Sequence, residues 1–368
     1  GTLVDLDFKF DQWLLRDTLT YAPSKDIKLR LGTDIDLASS DIYAYGAGGP
    51  PKEGSPENRG GTNDAIETEA KSEFQSIGFY SDLDYRAGPV RLIPGVRYDY
   101  IGATEEHFVQ PRFTTRYEVA KGQVFKAGYG WYMQPPQNDE LVIGDGVPPK
   151  SETSVHYALG YEYQFTELLD LDVSLFYKDF DNLVRQEKSQ QIEYNNNGVG
   201  RAYGMELLLR HKMGTRFFGW LAYTLQRSER RDSADGEWRP FDVDQTHNLI
   251  LIGQYKLTPK WSLGLRWRFV TGNPETPVVG SVYEVDDNSY VPIFGDINSA
   301  RQPTFTQLDL RVDRTWTYDT WKLVGYLDIR NVLNEANGSD RIYSYDYAEE
   351  ARSTEIPIVP SFGFRGTF

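Results

Sequence analysis

The chain has 368 residues, with 39 Lys and Arg, 54 Asp and Glu, and a formal net charge of −15. This acidic balance excludes the basic surface that nucleic-acid binding needs, so no nucleic acid is expected as a partner. The absence of cysteine removes disulfides, thiolate chemistry and cysteine-based metal sites. A mean hydropathy of −0.55, without any run of about 18 apolar residues, excludes helical membrane spans.

Apolar side chains recur at every second position along the whole chain, which is typical of β-strands that have one apolar face. In the first strand this parity slips by one near Asp11 and Gln12, and the slip predicts a bulge. Later segments also alternate, namely 155–165, 169–177, 261–269, 321–329 and 356–368. About fifteen such segments exist, many longer than the usual strand of about 5–6 residues. The chain is therefore predicted to be all-β, as one unit over residues 1–368.

The predicted connections alternate between short turns and longer polar loops. The predicted long loops are 42–70, 102–106, 134–150, 187–191, 228–244, 271–302 and 335–353. Strict alternation places all of the long loops on one side of the sheet. Long loops on one side, with tight turns opposite, indicate an outer-membrane antiparallel β-barrel.

Aromatic side chains on the apolar faces lie next to the short turns. They are Tyr85, Phe125, Phe165, Phe217, Tyr255, Trp261, Trp321 and the terminal Phe368. Such rings are typical of the girdle where lipid meets water, so outer-membrane lipid and lipopolysaccharide are expected partners. A soluble sandwich would use the same alternation with its apolar face inward, but strand length, loop sidedness and the girdle favour the barrel.

Several stretches together resemble one known family. They include "KAGYGWYMQPPQNDEL", "ETSVHYALGYEYQF", "DQTHNLILIGQYKL", "RFVTGNPETPV" and "LDIRNVLNEAN", followed by the terminal Phe368. In this order, over nearly the whole chain, they resemble the TonB-dependent receptors of the Gram-negative outer membrane. The resemblance implies a barrel of about 22 strands closed by an N-terminal plug domain. About fifteen of those strands are expected here.

The resemblance also implies a function and partners. Such receptors take up scarce or bulky small-molecule ligands (siderophores, vitamins, carbohydrates or metal complexes), and the TonB system energises uptake through the plug. The terminal Phe368 resembles the signal read by the barrel-assembly machinery. The resemblance implies neither catalysis nor a cofactor, and no nucleophile–base spacing indicates an enzyme.

The sequence departs from the family pattern because it contains no plug, no TonB-binding segment and no signal peptide. Residues 1–368 are therefore expected to be the C-terminal part of the barrel, with Gly1 in an extracellular loop. A nicked or split receptor, or a smaller self-closed pore, remains open as an alternative. A passive pore or structural barrel within an outer-membrane complex is the alternative function.

Ligand contacts are expected in the extracellular loops and the upper lumen, where aromatic rings can stack on a ligand. The candidates are Tyr132, Gln134, Asn138, Trp238, Tyr283 and Tyr290. The four histidines are far apart in the sequence, and no metal site is expected. Inward-facing arginines either line a path for anionic ligands or pair with carboxylates on neighbouring strands; the second reading is favoured.

Overall fold

A computed structural model describes residues 5–47, 65–137, 140–141, 148–186, 194–286, 288–338 and 341–368. The strands are β1 (Asp5–Ser24), β2 (Ile27–Ala47), β3 (Ala65–Ala87), β4 (Val90–Ile101), β5 (Glu106–Ala120), β6 (Gln123–Gln134), β7 (Glu152–Gln164), β8 (Leu169–Gln186), β9 (Tyr194–His211), β10 (Phe217–Arg231), β11 (Arg239–Pro240), β12 (His247–Lys256), β13 (Trp261–Val270), β14 (Pro274–Glu275), β15 (Val278–Glu284), β16 (Ser289–Phe294), β17 (Ala300–Arg301), β18 (Phe305–Thr317), β19 (Lys322–Arg330), β20 (Arg341–Tyr343), β21 (Glu350–Arg352) and β22 (Val359–Thr367). In the described ranges, no helix has both the length and the apolar character needed to span a membrane.

Within the described residues, one large sheet contains sixteen strands, and its neighbours follow chain order. The order runs from β1 to β10 and continues through β12, β13, β18, β19 and β22, while β11 pairs with β10. Successive antiparallel neighbours send their connections to alternate ends of the sheet. The predicted all-β antiparallel architecture of about fifteen strands is therefore confirmed.

The connections follow the predicted alternation, with one departure in length. Turns of two to five residues join β1 to β2, β3 to β4, β5 to β6 and the later hairpins, and together they form the short-turn end. The other connections form the long-loop end. One of them, residues 102–105, is no longer than the turns.

The chain folds into two compact units. Unit 1 comprises Gly1–Leu159, Phe176–Ala202 and Glu229–Arg239. Unit 2 comprises Gly160–Leu175, Tyr203–Ser228 and Pro240–Phe368. The contacts discussed below lie within one unit or the other.

Burial in the described residues is the reverse of that in a soluble protein. Only three apolar side chains there are buried, namely Ile101, Leu183 and Val270, against eleven polar or charged ones. Large apolar side chains on the strands are instead exposed, up to 82% for Phe362. A soluble sandwich would bury its apolar faces. This distribution matches a barrel whose apolar face meets lipid and whose polar face points inward.

The bulge predicted near Asp11 and Gln12 is wrong. Both residues pair regularly, with Ser39 and Ala38 of β2, and the register shift in this hairpin lies between Tyr21 and Ser24. The backbone is continuous at Gln12, and only the face that carries the apolar side chains changes there. A tilted strand needs about 9–11 residues to cross the hydrocarbon layer. Counted from the short turn back toward the start of the chain, the nine residues from Tyr21 to Trp13 are enough to cross this layer. The part of β1 that precedes Trp13 therefore no longer requires apolar side chains on its outward face.

Several predicted long loops contain more strand than expected. The ends of β2 and β3 extend into the predicted loop 42–70, and β10 extends to Arg231. The predicted loop 271–302 contains the hairpin β15–β16 and the short pair β14–β17, while 335–353 contains the hairpin β20–β21. The predicted loop 187–191 lies outside the described residues. These loops build small sheets because their own backbone groups need hydrogen-bond partners when they pack together.

The eight predicted girdle residues all lie beside short turns or, for Phe368, at the chain end. Tyr85, Phe125, Phe165, Phe217, Tyr255 and Trp261 are 40–52% exposed. Phe217 is the cross-strand partner of Tyr255. Phe368 stacks on Trp321 with ring centroids 5.7 Å apart and planes inclined by 14°. The terminal phenylalanine thus lies at the level of the short turns.

Most inward-facing arginines pair with carboxylates on the same or neighbouring strands. The Nε of Arg266 donates to Asp309, its cross-strand partner, at 2.8 Å. Arg311 contacts both Asp313 and Asp328. These pairs support the favoured prediction, in which arginines and carboxylates neutralise one another on the inner face.

Candidate ligand-binding site

Three tyrosines meet at the long-loop end of unit 2. Tyr283 of β15 lies opposite Tyr290 of β16, with ring centroids 5.1 Å apart. Tyr345, between β20 and β21, meets the edge of Tyr290 at 5.6 Å and nearly perpendicular planes. The hydroxyls of Tyr283 and Tyr345 both donate to Asn288, to its side-chain and backbone oxygens respectively. We call Tyr283, Tyr290 and Tyr345 the tyrosine cluster.

The tyrosine cluster presents ring surface to the outside. Tyr345 is 67% exposed and Tyr283 is 45% exposed, whereas Tyr290 is half-buried between them. Aromatic rings offer large, rigid and amphipathic contact surfaces with little conformational entropy to lose. The arrangement can therefore stack on or enclose part of a bulky ligand that arrives at the long-loop end.

A partly buried carboxylate connects β14, which leads into the hairpin β15–β16, to the hairpin β20–β21. Glu275 of β14 accepts hydrogen bonds from Arg341 Nε at 2.8 Å and from Arg352 Nη2 at 2.6 Å. Arg341 also donates to Glu350 at 2.5 Å. The side chains of Glu275, Arg341 and Arg352 are 14–24% exposed. We call Glu275, Arg341 and Arg352 the Glu275 clamp.

The clamp shifts the pKa of its carboxyl group. Burial acts to raise the pKa of Glu275, but the hydrogen bonds from Arg352 and Arg341 outweigh it and hold the pKa below its ordinary value of 4.5. A carboxylate with a depressed pKa stabilises the folded arrangement above its unfolded pKa, and this stabilisation is lost as the pH falls through its folded pKa. The clamp is therefore intact at neutral pH and is weakened only below about pH 4.5.

We expect the hairpin β15–β16 to loosen in acid for this reason. A spin label at Val279, which is exposed on β15, should show an immobilised spectrum at pH 7 and a more mobile one as the pH falls through the lowered pKa of Glu275. In Glu275→Gln the clamp lacks its charge, so the label should be mobile at pH 7 as well as in acid. A label that stays equally immobile in Glu275→Gln at pH 7 would show that the clamp does not hold the hairpin.

A second buried carboxylate fixes the base of the same loops. Asp244 is fully buried and pairs with Arg301, which follows the hairpin β15–β16. Its Oδ1 accepts the Ser228 backbone N–H at 2.6 Å, and its Oδ2 lies 3.5 Å from Arg227. Arg301 also donates to the backbone carbonyls of Asp244, at 2.6 Å, and Gly272. We call Asp244 and Arg301 the Asp244 pair.

Asn298 reinforces this base. It is 4% exposed and adopts a φ of 59°, a left-handed conformation that asparagine tolerates well. Its Nδ2 donates to the Pro240 carbonyl at 2.9 Å and to Asp242 at 2.6 Å. The loop 271–304 is thus bound to Pro240, Asp242 and Asp244 by charged and neutral hydrogen bonds, and its ring surface is held in place before any ligand arrives.

The predicted ligand contacts fall into separate groups. Tyr283 and Tyr290 come together in unit 2, whereas Tyr132, Gln134 and Trp238 belong to unit 1. Asn138 lies outside the described residues. Gln134 is exposed at the end of β6.

Two of the unit 1 candidates already have cationic or aromatic neighbours. The Tyr132 ring lies 4.5 Å from the His156 ring, and the Arg112 guanidinium carbon is 4.9 Å from its centroid. The Trp238 ring has the guanidinium carbons of Arg201 and Arg231 at 4.1 and 4.7 Å. Trp238 therefore has less free ring surface than its loop position predicts.

Tyr345 is the member of the tyrosine cluster that sequence reasoning missed. A signal was available, because the stretch "RIYSYDY" places Tyr343, Tyr345 and Tyr347 at alternate positions in a predicted long loop. Within the described residues, no group of three or more His, Asp or Glu side chains is arranged to hold a metal ion. The chemistry that this end of the molecule offers is ring contact and hydrogen bonding.

Comparisons with known proteins agree with this architecture. The family model described as TonB dependent receptor-like, beta-barrel, matches residues 2–332. No curated protein sequence matches the chain.

Among solved structures, the chain is similar to the ferric yersiniabactin uptake receptor FyuA from Yersinia pestis. The TM-score is 0.70 at 14% identity, covering 100% of this chain and 56% of that one. The ferric citrate transporter FecA gives 0.68 at 16% identity, with 100% and 55% covered. The siderophore receptor PiuA from Acinetobacter baumannii gives 0.65 at 15% identity, with 99% and 56% covered.

The chain spans about half the length of these solved structures. At such identities the likeness shows the fold, while the family model covers most of the chain. The inverted burial and the antiparallel sheet of long strands are what that family requires. The chain belongs to the TonB-dependent receptor-like β-barrel family, which is a family of outer-membrane receptors rather than of enzymes.

Proposed function

We propose that this chain forms part of a receptor that takes up a scarce or bulky ligand across the outer membrane, energised through TonB. The tyrosine cluster, held in place by the Glu275 clamp and the Asp244 pair, is the observation that carries this proposal. A surface that is ordered before binding loses less conformational entropy when a ligand arrives.

A ferric chelate is the ligand class that the comparisons favour. The similar structures are named as receptors or transporters for ferric citrate, ferric yersiniabactin and a siderophore. A siderophore, vitamin, carbohydrate or metal complex would each fit the family. Among these, the ring surface of the tyrosine cluster suits a ligand with flat or apolar faces.

The proposal includes three further partners. TonB would act through a plug domain in the complete receptor. The girdle of Tyr85, Phe125, Phe165, Phe217, Tyr255, Trp261, Trp321 and Phe368 would contact outer-membrane lipid at the periplasmic interface, and lipopolysaccharide would surround the long-loop end. The barrel-assembly machinery would read Phe368, which the stacking on Trp321 leaves 97% exposed.

Binding of iron-55-labelled ferric citrate and ferric yersiniabactin to outer-membrane vesicles tests the site. We expect Tyr345→Ala to weaken binding of the accepted chelate by about tenfold, because one stacked ring contributes about 1.4 kcal/mol. Tyr345→Phe keeps the ring and should bind nearly normally. Tyr318→Ala removes a tyrosine that is 47% exposed at the short-turn end and serves as the matched control.

Uptake by cells with and without TonB tests the energised step. TonB-dependent uptake that is lost in Tyr345→Ala and kept in Tyr318→Ala supports the whole proposal. Uptake that continues without TonB would replace it by a passive pore. Equal binding by the wild type and Tyr345→Ala would remove the tyrosine cluster from the binding site.

A further inference from the structure

A cavity on the polar face of unit 1 has an unusual charge composition. Its volume is about 470 Å³, and strands β1 to β5 provide its walls. Four arginines line it, namely Arg16, Arg30, Arg97 and Arg112, together with the carboxylates of Asp34 and Asp82. None of these side chains belongs to the tyrosine cluster, so the cavity is a second feature of the inner wall.

Three of the four guanidinium groups have carboxylate partners. Arg16 Nε donates to Asp34 at 2.5 Å, and Arg30 Nε donates to Asp82 at 2.7 Å. Arg97 donates to Asp34 at 2.6 Å and to Asp99 at 2.7 Å. The carboxylates of Asp34, Asp82 and Asp99 thus balance three of the four guanidinium groups. One positive charge is left at the cavity.

The uncompensated charge is that of Arg112. Among the described residues it contacts no carboxylate, and its guanidinium carbon lies 4.9 Å from the centroid of the Tyr132 ring. Contact with the ring restricts the orientation of the planar guanidinium but consumes none of its hydrogen-bond donors. Arg112 therefore lines the cavity with N–H groups available.

The pairing register explains why Arg112 has no acidic neighbour. Its cross-strand partners are Gly95 on β4 and Gly130 on β6. Neither glycine has a side chain that could supply a carboxylate. Arg97, in contrast, lies opposite Gln110, which itself donates to Asp99. Arg112 therefore has no carboxylate directly opposite it on either neighbouring strand.

We propose that this cavity binds a carboxylate group, which pairs with Arg112 and completes the charge balance. The guanidinium fork matches the two oxygens of a carboxylate. A single excess positive charge suits a monoanion, while the nearby Asp34 and Asp82 disfavour a phosphate dianion. This inference rests on the proposed function and deepens it, because it assigns to the inner wall of unit 1 a contact for a ligand that carries a carboxylate.

Nitrogen NMR of arginine-labelled protein, extracted from outer membranes into detergent micelles, tests the site. The Arg112 Nε resonance is identified by its absence in Arg112→Gln. Acetate is the probe, and acetamide is its neutral counterpart of nearly equal shape. We expect acetate to change the chemical shift of the Arg112 Nε resonance in a saturable way. Acetamide should bind at least tenfold more weakly, and the acetate site should be lost in Arg112→Gln.

Arg268→Gln is the matched control. Arg268 is also inward-facing, and its guanidinium carbon lies 4.9 Å from the Phe305 ring centroid, yet it does not line this cavity. In the Arg268→Gln variant, acetate should change the chemical shift of the Arg112 Nε resonance as it does in the wild type. Arg112→Lys keeps the charge without the fork and should bind acetate with intermediate strength, which guards against misreading a folding defect in Arg112→Gln.

Each outcome assigns or removes the site. A saturable acetate shift assigns it to a free ligand. An Arg112 N–H that is protected from exchange before acetate is added, and whose resonance acetate does not shift, overturns the proposal, because its donors are then already in use. An N–H that exchanges freely and does not respond to acetate overturns the proposal. None of these measurements depends on TonB or on uptake, so failure here is distinguishable from failure of the proposed function.

Discussion

Replacing Asp244 by asparagine should release the loop 271–304 from its base. The substitution leaves Arg301 without its charged partner in a site where the Asp244 side chain is fully buried. Loss of one partner of a buried ion pair costs about 3–5 kcal/mol. Because Arg301 and Arg227 are 30% and 36% exposed, we expect about 3 kcal/mol, the lower end of that range.

Hydrogen exchange measured by mass spectrometry provides the test. Peptides that cover residues 240–247 and 296–304 should exchange about a hundredfold faster in Asp244→Asn, as about 3 kcal/mol implies. Peptides from β12 and β13 should change little, because their ladder of backbone hydrogen bonds does not depend on the loop. Asp296→Asn removes an exposed carboxylate from the same loop and should leave exchange unchanged. Equal exchange in the two variants would contradict a structural role for the Asp244 pair.

Gly272→Ala should have a comparably large effect for a steric reason. A Cβ added at Gly272 would lie 2.0 Å from the Gln302 carbonyl oxygen and 2.7 Å from that of Pro303. Both atoms belong to the backbone, so no side-chain rotation can relieve the overlap. Overpacking costs about 1–3 kcal/mol even where side chains can adjust, and we expect at least the upper value here.

Gly280→Ala is the control, because a Cβ there would meet only the end of Ile293 at an ordinary 3.9 Å. Limited proteolysis of protein in detergent should cleave the loop 271–304 at least tenfold faster in Gly272→Ala than in Gly280→Ala. Ligand binding at the tyrosine cluster should weaken in parallel, since the loop positions Tyr283 and Tyr290. If both variants resist protease equally, the close approach between residues 272 and 302 is not required.

The sequence by itself determined the architecture of the strands. Alternation in segments such as 155–165 and 261–269 is a local property, because each side chain in a strand points away from its neighbours. Seven of the hairpins follow from short turns, and the girdle aromatics were predicted because they flank those turns. Local pattern was misleading at Asp11 and Gln12, where a change of surroundings along one continuous strand resembled a bulge.

Only the tertiary structure decided which residues form the candidate site. Asp244 and Arg301 are 57 positions apart, and Glu275 and Arg352 are 77 apart. No periodicity links such positions, because loop pairings depend on how whole hairpins pack. Arg112 looks in the sequence like any other inward arginine. It differs only because the strand register places Gly95 and Gly130 beside it, and register is a property of paired strands rather than of any one segment.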